Sequence, residues 1–199
     1  PIMEHNLDHL SSYGINNYWF SVNYLGDQIE NYFKNGAQKN ISINYVWENN
    51  PLGTIGAVSK IKDFKNDYIL ITNSDILTNL NYERFFLDFL NQDADFSVVT
   101  VPYNVSIPYA VLETESNNVK SFIEKPKYTY YSNGGIYLIK KSILKYIPKN
   151  EFFNATDLME LMIKKNKKII SFPLSDYWLD VGNHEDFNKA KEDIYKIKF

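Results

Sequence analysis

Cysteine is absent from the sequence, and its absence excludes disulfides, thiolate zinc sites and cysteine nucleophiles. Any chemistry must therefore use oxygen and nitrogen groups, and a cation bound by carboxylates is still possible.

Long hydrophobic runs are also absent. No stretch approaches about 18 uncharged apolar residues, and residues Pro1 to Glu4 do not form a basic and then apolar leader. We therefore expect a cytoplasmic protein with no membrane partner.

The chain carries little net charge, −3 at pH 7. It therefore has no overall positive field to attract DNA or an acidic membrane, although a local basic pocket for a phosphate is allowed. We predict no nucleic-acid partner.

Of the 199 residues, 44% are hydrophobic and 23% are charged, which is a globular composition, and we find neither a repeat nor a linker. The sequence predicts a single domain over residues 1–199.

Hydrophobic periodicity predicts alternating helices and strands in the first part of the chain. Three helix–strand cycles predict an α/β fold, a Rossmann-like, mixed and mostly parallel sheet with helices on both faces. The second part predicts short strands without helices between them, and a hairpin turn at Ser116-Asn117-Asn118. The predicted helices are 3–10, 26–33, 53–62, 82–90, 141–146, 156–165 and 184–195, and the predicted strands are 15–22, 41–46, 68–72, 96–101, 109–113, 119–124, 135–139 and 168–173.

The first predicted helix has no strand and no glycine-rich turn before it. In an open parallel sheet, the phosphate-binding turn usually follows the first strand and faces the anion with backbone N–H groups. The sequence therefore predicts either a fold that needs no such turn or a domain without its first strand and loop.

Two aspartates stand where an α/β sheet keeps its ligands. Asp75 ends the apolar run that starts at Ile71, which places it at the carboxyl end of a buried strand. Asp180 lies between apolar residues, where an acid must be paired, metal-bound or solvated at a strand edge. Two such acids can hold Mg²⁺, which completes its shell with water and phosphates. The alternative for Asp75 is a strand-ending turn or a helix cap.

Two other segments could serve a ligand or only the fold. Lys125, which follows Glu124 and precedes a proline, suits a phosphate as a point charge, but a solvated lysine at a strand end is the commoner case. Asn133 and Gly135, in the run Asn-Gly-Gly, could let a ligand approach the backbone, or could form a plain turn.

His5 and His9 stand four residues apart on the first predicted helix and so share a face at metal-ligand spacing. The glutamate that a zinc-hydrolase motif places beside the first histidine is missing, and the alternative is a pair of ordinary helix-surface histidines.

Taken in order, these segments resemble the sugar-1-phosphate nucleotidyltransferases, also called nucleotide-sugar pyrophosphorylases. The resemblance spans nearly the whole chain. Each segment is a weak signal alone, but five of them in the right order make a strong one. The five are Pro51-Leu52-Gly53-Thr54-Ile55-Gly56-Ala57, similar to the family's nucleotide-binding Leu-Gly-Thr-Ala-Gly-Ala; Asn73-Ser74-Asp75, similar to its Asn-Gly-Asp at the metal; Phe122-Ile123-Glu124-Lys125-Pro126, similar to its sugar-phosphate strand; Asn133-Gly134-Gly135-Ile136-Tyr137, similar to its Asn-Ala-Gly-Ile-Tyr; and Tyr177-Trp178-Leu179-Asp180-Val181-Gly182, similar to its Trp-x-Asp-x-Gly.

Two family features are not matched. The signature loop Gly-Gly-x-Gly-Thr-Arg, with its following lysine, normally lies just upstream of a segment like Lys-Pro-Ile-x-Glu-His, and this chain begins at that proline, Pro1. The family also has Tyr-Gly-Val where this chain has Tyr109-Ala110-Val111. We therefore expect an N-terminally truncated domain, with further sequence and room for an additional domain upstream. Residues 1–199 alone should bind their ligands weakly and not catalyse.

The resemblance implies transfer of a nucleoside monophosphate from an NTP to a sugar 1-phosphate, with release of pyrophosphate, for nucleotide-sugar and polysaccharide biosynthesis. It implies that Asp75 and Asp180 hold Mg²⁺ and that Lys125 neutralises the sugar phosphate. The partners implied are the two substrates, and a homo-oligomer is compatible with the resemblance. The implied substrate-binding residues are Glu124 for sugar hydroxyls, Gly53 and Thr54 for the base, and Asn133 and Gly135 at the glycine run.

Glu48 bears on the choice of nucleotide. It lies five residues before Gly53, where many uridylyl- and thymidylyltransferases of the family carry a base-contacting glutamine. An ionised glutamate only accepts hydrogen bonds, and guanine presents two adjacent donors, so Glu48 favours GTP. The alternative is a solvated loop acid.

Two other functions remain open. A glycosyltransferase that consumes nucleotide sugars also places an acid and a metal after a central strand, although the Glu124–Pro126 and Trp178–Gly182 segments argue against it. A regulatory module that binds a nucleotide sugar without turnover is the alternative outside catalysis.

Overall fold

A computed structural model describes residues 1–197, and within that range no helix is long and apolar enough to cross a membrane. The α-helices are α1 (Ile2–Ser12), α2 (Gly26–Phe33), α3 (Tyr82–Asn91), α4 (Ala155–Lys164) and α5 (His184–Asp193). The strands are β1 (Asn17–Val22), β2 (Ser42–Trp47), β3 (Tyr68–Thr72), β4 (Ile76–Thr78), β5 (Phe96–Ser106), β6 (Val111–Glu115), β7 (Asn118–Ile123), β8 (Lys127–Lys140), β9 (Ile169–Pro173) and β10 (Trp178–Asp180). Three short 3₁₀ segments are Ala37–Lys39, Gly56–Lys60 and Lys141–Tyr146.

The central sheet has the strand order β3-β8-β5-β9. Strand β8 is antiparallel to both β3 and β5, and β9 is parallel to β5, so three of the four strands share one direction. Strands β1 and β2 form a separate parallel pair. The predicted mixed, mostly parallel α/β sheet is confirmed.

Helices cover both faces of the central sheet because its strands are apolar on both sides. Along β3, Leu70 packs into one hydrophobic cluster and Ile69 and Ile71 into another. The first cluster includes side chains of α1, α2 and α3, and the second includes α4 and the two longer 3₁₀ segments. Leu158 and Met162, one turn apart on α4, are both completely buried. The predicted two-sided covering is therefore confirmed.

The second part of the chain extends beyond this core. Strands β5 and β8 pair along their whole length, so the predicted strand 135–139 is only the buried end of β8. Their outer halves form an exposed two-stranded ribbon. Because its residues do not alternate between buried and exposed positions, the sequence has no hydrophobic alternation there from which the strands could be predicted. Strands β6 and β7 form a separate antiparallel hairpin. Its turn has positive φ at Ser116 and Asn117, which confirms the predicted hairpin.

Two predicted helices are 3₁₀ segments instead, namely those expected at 53–62 and 141–146. At the first, Gly53 has a φ of 74°, which no α-helix accommodates. The Ile55 and Gly56 N–H groups then both donate to the Phe153 carbonyl, at 3.1 and 3.0 Å. Long-range bonding therefore replaces the local helical bonds in this loop.

Candidate functional site

Asp75 and Asp180 come together because β4 pairs with β10. The two strands are antiparallel, with Asp180 opposite Ile76, and the Val181 N–H donates to the Asp75 carbonyl at 2.9 Å. Since neighbouring strands lie ~4.8 Å apart, the two aspartate α-carbons lie within about 7 Å. Both side chains are exposed. The pairing therefore brings the two aspartates next to each other along the backbone, and the charge of Asp75 acts on the Asp180 carboxyl.

The charges at this pair favour a cation. Although its side chain is exposed overall, protein atoms around the Asp180 carboxyl exclude part of its water and raise its pKa, and the negative charges of Asp75 and Asp186 raise it further. Within residues 1–197, no cluster of three or more histidine, aspartate or glutamate side chains could hold a metal alone. A cation at the pair would take the rest of its shell from water and substrate, as Mg²⁺ usually does.

Two cavities meet beside the pair. The larger, of about 1580 Å³, runs along β3 and includes Asp75, and the smaller, of about 230 Å³, includes Asp180. Thr54 and Asn73 line both cavities. The two cavities therefore adjoin, and each is lined by one of the two aspartates.

Asn133 and Gly135 belong to a bulge in β8 that supports the smaller cavity. The Asn133 side chain accepts a hydrogen bond from the Gly135 N–H and donates to the Tyr137 hydroxyl, both at 2.9 Å. Gly135 has a φ of 71°, and a Cβ there would lie 2.6 Å from the Ile76 side chain. Its carbonyl accepts from the Asn73 N–H at 2.9 Å. The bulge therefore fixes the segment that leads to Asp75.

Trp178 ties β10 to the same bulge. Its indole Nε1–H donates to the Gly134 carbonyl at 2.9 Å, and its ring lines the smaller cavity. Sequence reasoning assigned no role to Trp178 or to Asn73. A half-buried indole needs a hydrogen-bond acceptor, and this requirement was the available signal for Trp178.

Gly53 and Thr54 hold the start of α4 and also line the larger cavity. A Cβ at Gly53 would lie 2.8 Å from the Phe153 carbonyl oxygen, so the loop needs glycine there. The Thr54 hydroxyl accepts from the Ala155 N–H at 2.8 Å, and its own N–H donates to the Asn154 side chain at 3.2 Å. The loop predicted to meet the base is thus fixed to a helix N-terminus.

Glu48 lines the larger cavity and is tied into the protein through both carboxylate oxygens. One oxygen accepts from the Ser21 hydroxyl, and the other accepts from the Leu52 N–H at 2.6 Å. The side chain is half-buried. Glu48 is therefore not a freely solvated loop acid.

Glu124 and Lys125 do not line either cavity. Both are exposed and lie outside the two cavities, in the connection between β7 and β8. Lys125 has a φ of 45°, whereas the following Pro126 is buried. The turn is therefore anchored at its proline and exposed before it.

The two histidines on α1 do not form a joint site. His9 is buried between the rings of Tyr13 and Tyr82, and its Nε2 donates to the Leu80 carbonyl at 2.9 Å. His5 is exposed. The interpretation of both as helix-surface histidines is wrong for His9, because α1 turns that position towards α3.

Comparison with known proteins adds to this geometry. The family model described as nucleotidyl transferase matches residues 1–197. The chain is 29% identical over 197 residues to D-glycero-alpha-D-manno-heptose 1-phosphate guanylyltransferase from Aneurinibacillus thermoaerophilus, covering 98% of this chain and 85% of the relative. It is 25% identical to UTP–glucose-1-phosphate uridylyltransferase from Synechocystis, covering 96% of this chain but only 54% of that relative.

A solved structure has the same fold. The crystal structure of HddC from Yersinia pseudotuberculosis superimposes with a TM-score of 0.74 at 25% identity, covering 98% of this chain and 85% of that one. HddC has also been crystallised in complex with GMP-PN. The chain spans only about half the length of several other relatives that it matches.

Proposed function

The chain belongs to the nucleotidyl transferase family, and we propose that it transfers the nucleoside monophosphate of an NTP to a sugar 1-phosphate, with release of pyrophosphate. The observation that carries the proposal is the position of Asp75 and Asp180, side by side where two cavities meet. Two substrates that react with each other need adjoining spaces and a shared centre of charge. The relatives named as guanylyl- and uridylyltransferases support the same reaction class.

The proposed reaction needs no protein nucleophile. An oxygen of the sugar 1-phosphate attacks the α-phosphorus of the NTP, and the bond from that phosphorus to the bridging oxygen breaks. The bridging oxygen keeps the electron pair and leaves with pyrophosphate. Catalysis then consists of positioning and charge neutralisation, which a chain without cysteine can supply.

We infer that Asp75 and Asp180 hold Mg²⁺. The donor set fits, because the two carboxylates are adjacent, exposed and mutually repulsive, and their oxygens are the ligands that Mg²⁺ prefers. The ion would neutralise phosphate charge. The chain's own part is to orient the two acids through the β4–β10 pairing.

Other side chains are proposed to bind the substrates. Lys125 would neutralise the sugar phosphate and Glu124 would bind sugar hydroxyls, from the connection between β7 and β8. Gly53 and Thr54 lie in a loop whose groove could accept the base. Asn133 and Gly135 shape the smaller cavity, which we assign to the sugar.

GTP is the proposed nucleotide. A carboxylate oxygen has two lone pairs, so Ser21 and Leu52 leave Glu48 able to accept the two adjacent donors of guanine. The likeness to a guanylyltransferase and to a protein crystallised with GMP-PN supports this choice. Comparing kcat/KM for GTP, ATP, UTP and dTTP, for wild type and Glu48→Gln, tests it. An unchanged ranking would show that Glu48 does not select the base.

We also propose that the domain lacks a strand between β1 and β3. Among the described residues, β1 pairs only with β2 and β3 only with β8, so each has an open edge. The larger cavity lies between these edges and runs from Tyr68 to Asp75. An additional strand there would receive backbone hydrogen bonds on both sides.

The same assay set tests the function and the missing strand. Labelled pyrophosphate exchange, glycosyl transfer from a nucleotide sugar, and ligand binding without turnover separate the three candidate functions. We expect pyrophosphate exchange from the full-length polypeptide and none from residues 1–199 alone. Glycosyl transfer would contradict the proposed reaction, and robust pyrophosphate release by residues 1–199 would contradict the missing strand. Cytoplasmic location and a homo-oligomer stay predictions from the sequence.

A further inference from the structure

Asn6 is a buried polar side chain that links α1 to β4. It is 9% exposed, and its Nδ2 donates to the Ile76 carbonyl at 2.6 Å across 70 residues of sequence. Ile76 lies next to Asp75 and opposite Asp180. The helix side chain therefore contacts the backbone at the point where the two aspartates meet.

The β4–β10 ladder explains why the Ile76 carbonyl needs this donor. In an antiparallel pair, only alternate residues exchange backbone hydrogen bonds with the partner strand. Here Asp75 accepts from Val181 and Asn79 donates to Tyr177, so the main chain of Ile76 faces the other edge of β4. No strand pairs with β4 at that edge among the described residues. Asn6 supplies the hydrogen bond that a neighbouring strand would otherwise give.

A second attachment lies one helical turn further along α1. The buried His9 side chain donates to the Leu80 carbonyl at 2.9 Å, beyond the other end of β4. Asn6 and His9 stand three residues apart, so they lie on one face of α1. The helix thus holds the short strand at two points, and Asn6 is the one beside the carboxylate pair.

We propose that Asn6 is a positioning residue for the Asp75–Asp180 pair, an inference that rests on the proposed cation site. Strand β4 is only three residues long, and without the Asn6 donor the Ile76 carbonyl would be buried without that partner. The strand would then shift to reach water, and Asp75 would move with it. Residues that orient metal ligands typically change metal affinity when they are replaced.

The test compares cation binding with stability. Mn²⁺, a paramagnetic substitute for Mg²⁺, is titrated into the isotope-labelled 199-residue chain, and the broadening of the Val181 amide signal gives its dissociation constant. Asn6→Leu keeps the volume and removes the donor, and we expect Mn²⁺ to bind about 3- to 10-fold more weakly. Asn6→Gln keeps an amide donor and should recover part of the affinity. If Asn6→Leu does not fold, Asn6→Ser, too short to reach the carbonyl, takes its place.

Ile143→Val is the matched control for stability. Ile143 is buried in the second hydrophobic cluster, away from β4, so its replacement lowers stability without touching the pair. We expect its Mn²⁺ affinity to equal that of the wild type. An unchanged affinity in Asn6→Leu, with a stability loss like that of the control, would overturn the positioning role and leave the cation site standing. Absence of Mn²⁺ broadening at Val181 in the wild type would overturn the cation site itself, and the role of Asn6 with it.

Discussion

Around Asp75 the chain is held by the bulge at Gly135, by the pairing of β4 with β10 and by Asn6, whereas around Lys125 the chain is exposed until it reaches Pro126. Every residue of β7 is exposed, and Phe122 keeps 66% of its surface. Isolated two-stranded hairpins are marginally stable in water. One proposed binding region is therefore held by many contacts within the fold, and the other is held by few.

This difference suggests that the two regions have different roles in substrate binding and catalysis. A pair of carboxylates must be placed before substrate arrives, because displacement of a ligand by ~1 Å already weakens a site. A lysine that neutralises a phosphate tolerates movement, since it acts as a point charge on a flexible side chain. Substitutions near Asp75 should therefore change catalysis or stability, and substitutions near Lys125 should change substrate affinity alone.

The largest effect is expected from Asp75→Asn. Removing one of two proposed ligands should lower kcat/KM of the full-length polypeptide about 10³-fold, because an amide oxygen carries no charge for the cation. Pyrophosphate release is the measurement. Asp186→Asn is the control, since Asp186 raises the pKa of Asp180 but has no proposed ligand role, and it should retain most of the activity. Equal losses in both variants would contradict the assignment of Asp75.

Gly135→Ala should have the next largest effect, and that effect is on the stability of the fold. The new Cβ would meet the Ile76 side chain at 2.6 Å, and the φ of 71° is itself unfavourable for alanine. We expect a loss of about 2–4 kcal/mol in the free energy of unfolding, measured by urea denaturation. Gly14→Ala provides the comparison, because its φ is 81° but nothing lies within 4 Å of the added Cβ. It should lose about 1 kcal/mol, and equal losses at both positions would show that contact with Ile76 is unimportant.

Much of the framework around Asp75 could be predicted from local sequence. Helix α2 and strand β3 have the predicted bounds, because their hydrophobic spacing and their end signals lie within a few residues. The same signals predict Asp75 beyond the carboxyl end of β3, and in the structure it lies between β3 and β4. Its pairing with Asp180 was predicted only as convergence at one sheet edge.

The contacts that fix the site could not be predicted, because they join distant segments. Asn6 and Ile76 are 70 residues apart, and Glu48 bonds to Ser21, 27 residues away. Neither contact leaves a periodic signal. The outer ribbon of β5 and β8 was missed because its residues are exposed, so pairing rather than burial determines its structure.

In the exposed region around Lys125, Lys125→Met should lower kcat/KM for the sugar 1-phosphate about 10- to 100-fold, mainly through KM, because one charged contact to a phosphate is lost. The free energy of unfolding should change by less than about 0.5 kcal/mol, since the side chain is exposed. Lys120→Met is the matched control, on the hairpin that precedes Lys125. Lys120 forms an ion pair with Glu115 at the surface, at 3.1 Å, and its replacement should leave both quantities unchanged. A large stability loss in Lys125→Met would mean that Lys125 contributes to the folded framework.

The smallest expected effect is a pH-dependent gain in stability from Asp180→Asn. Burial and the charges of Asp75 and Asp186 raise the pKa of Asp180 above its ordinary value, so the folded protein binds this proton more readily than the unfolded chain does. Ionisation of Asp180 therefore opposes folding, and this penalty is present at neutral pH and disappears as the pH falls through the raised pKa. Asparagine keeps the neutral form at every pH.

Without added divalent cation, Asp180→Asn should melt at a slightly higher temperature than wild type at pH 7, by less than about 2 °C, and at the same temperature below about pH 4. Thermal melts of both proteins from pH 3 to pH 8 measure this, with Asp176→Asn as a control on the neighbouring loop. A lower melting temperature at pH 7 would show that the Asp180 carboxylate stabilises the cation-free protein. The hypothesis that Asp75 and Asp180 repel each other when no cation is bound would then be wrong.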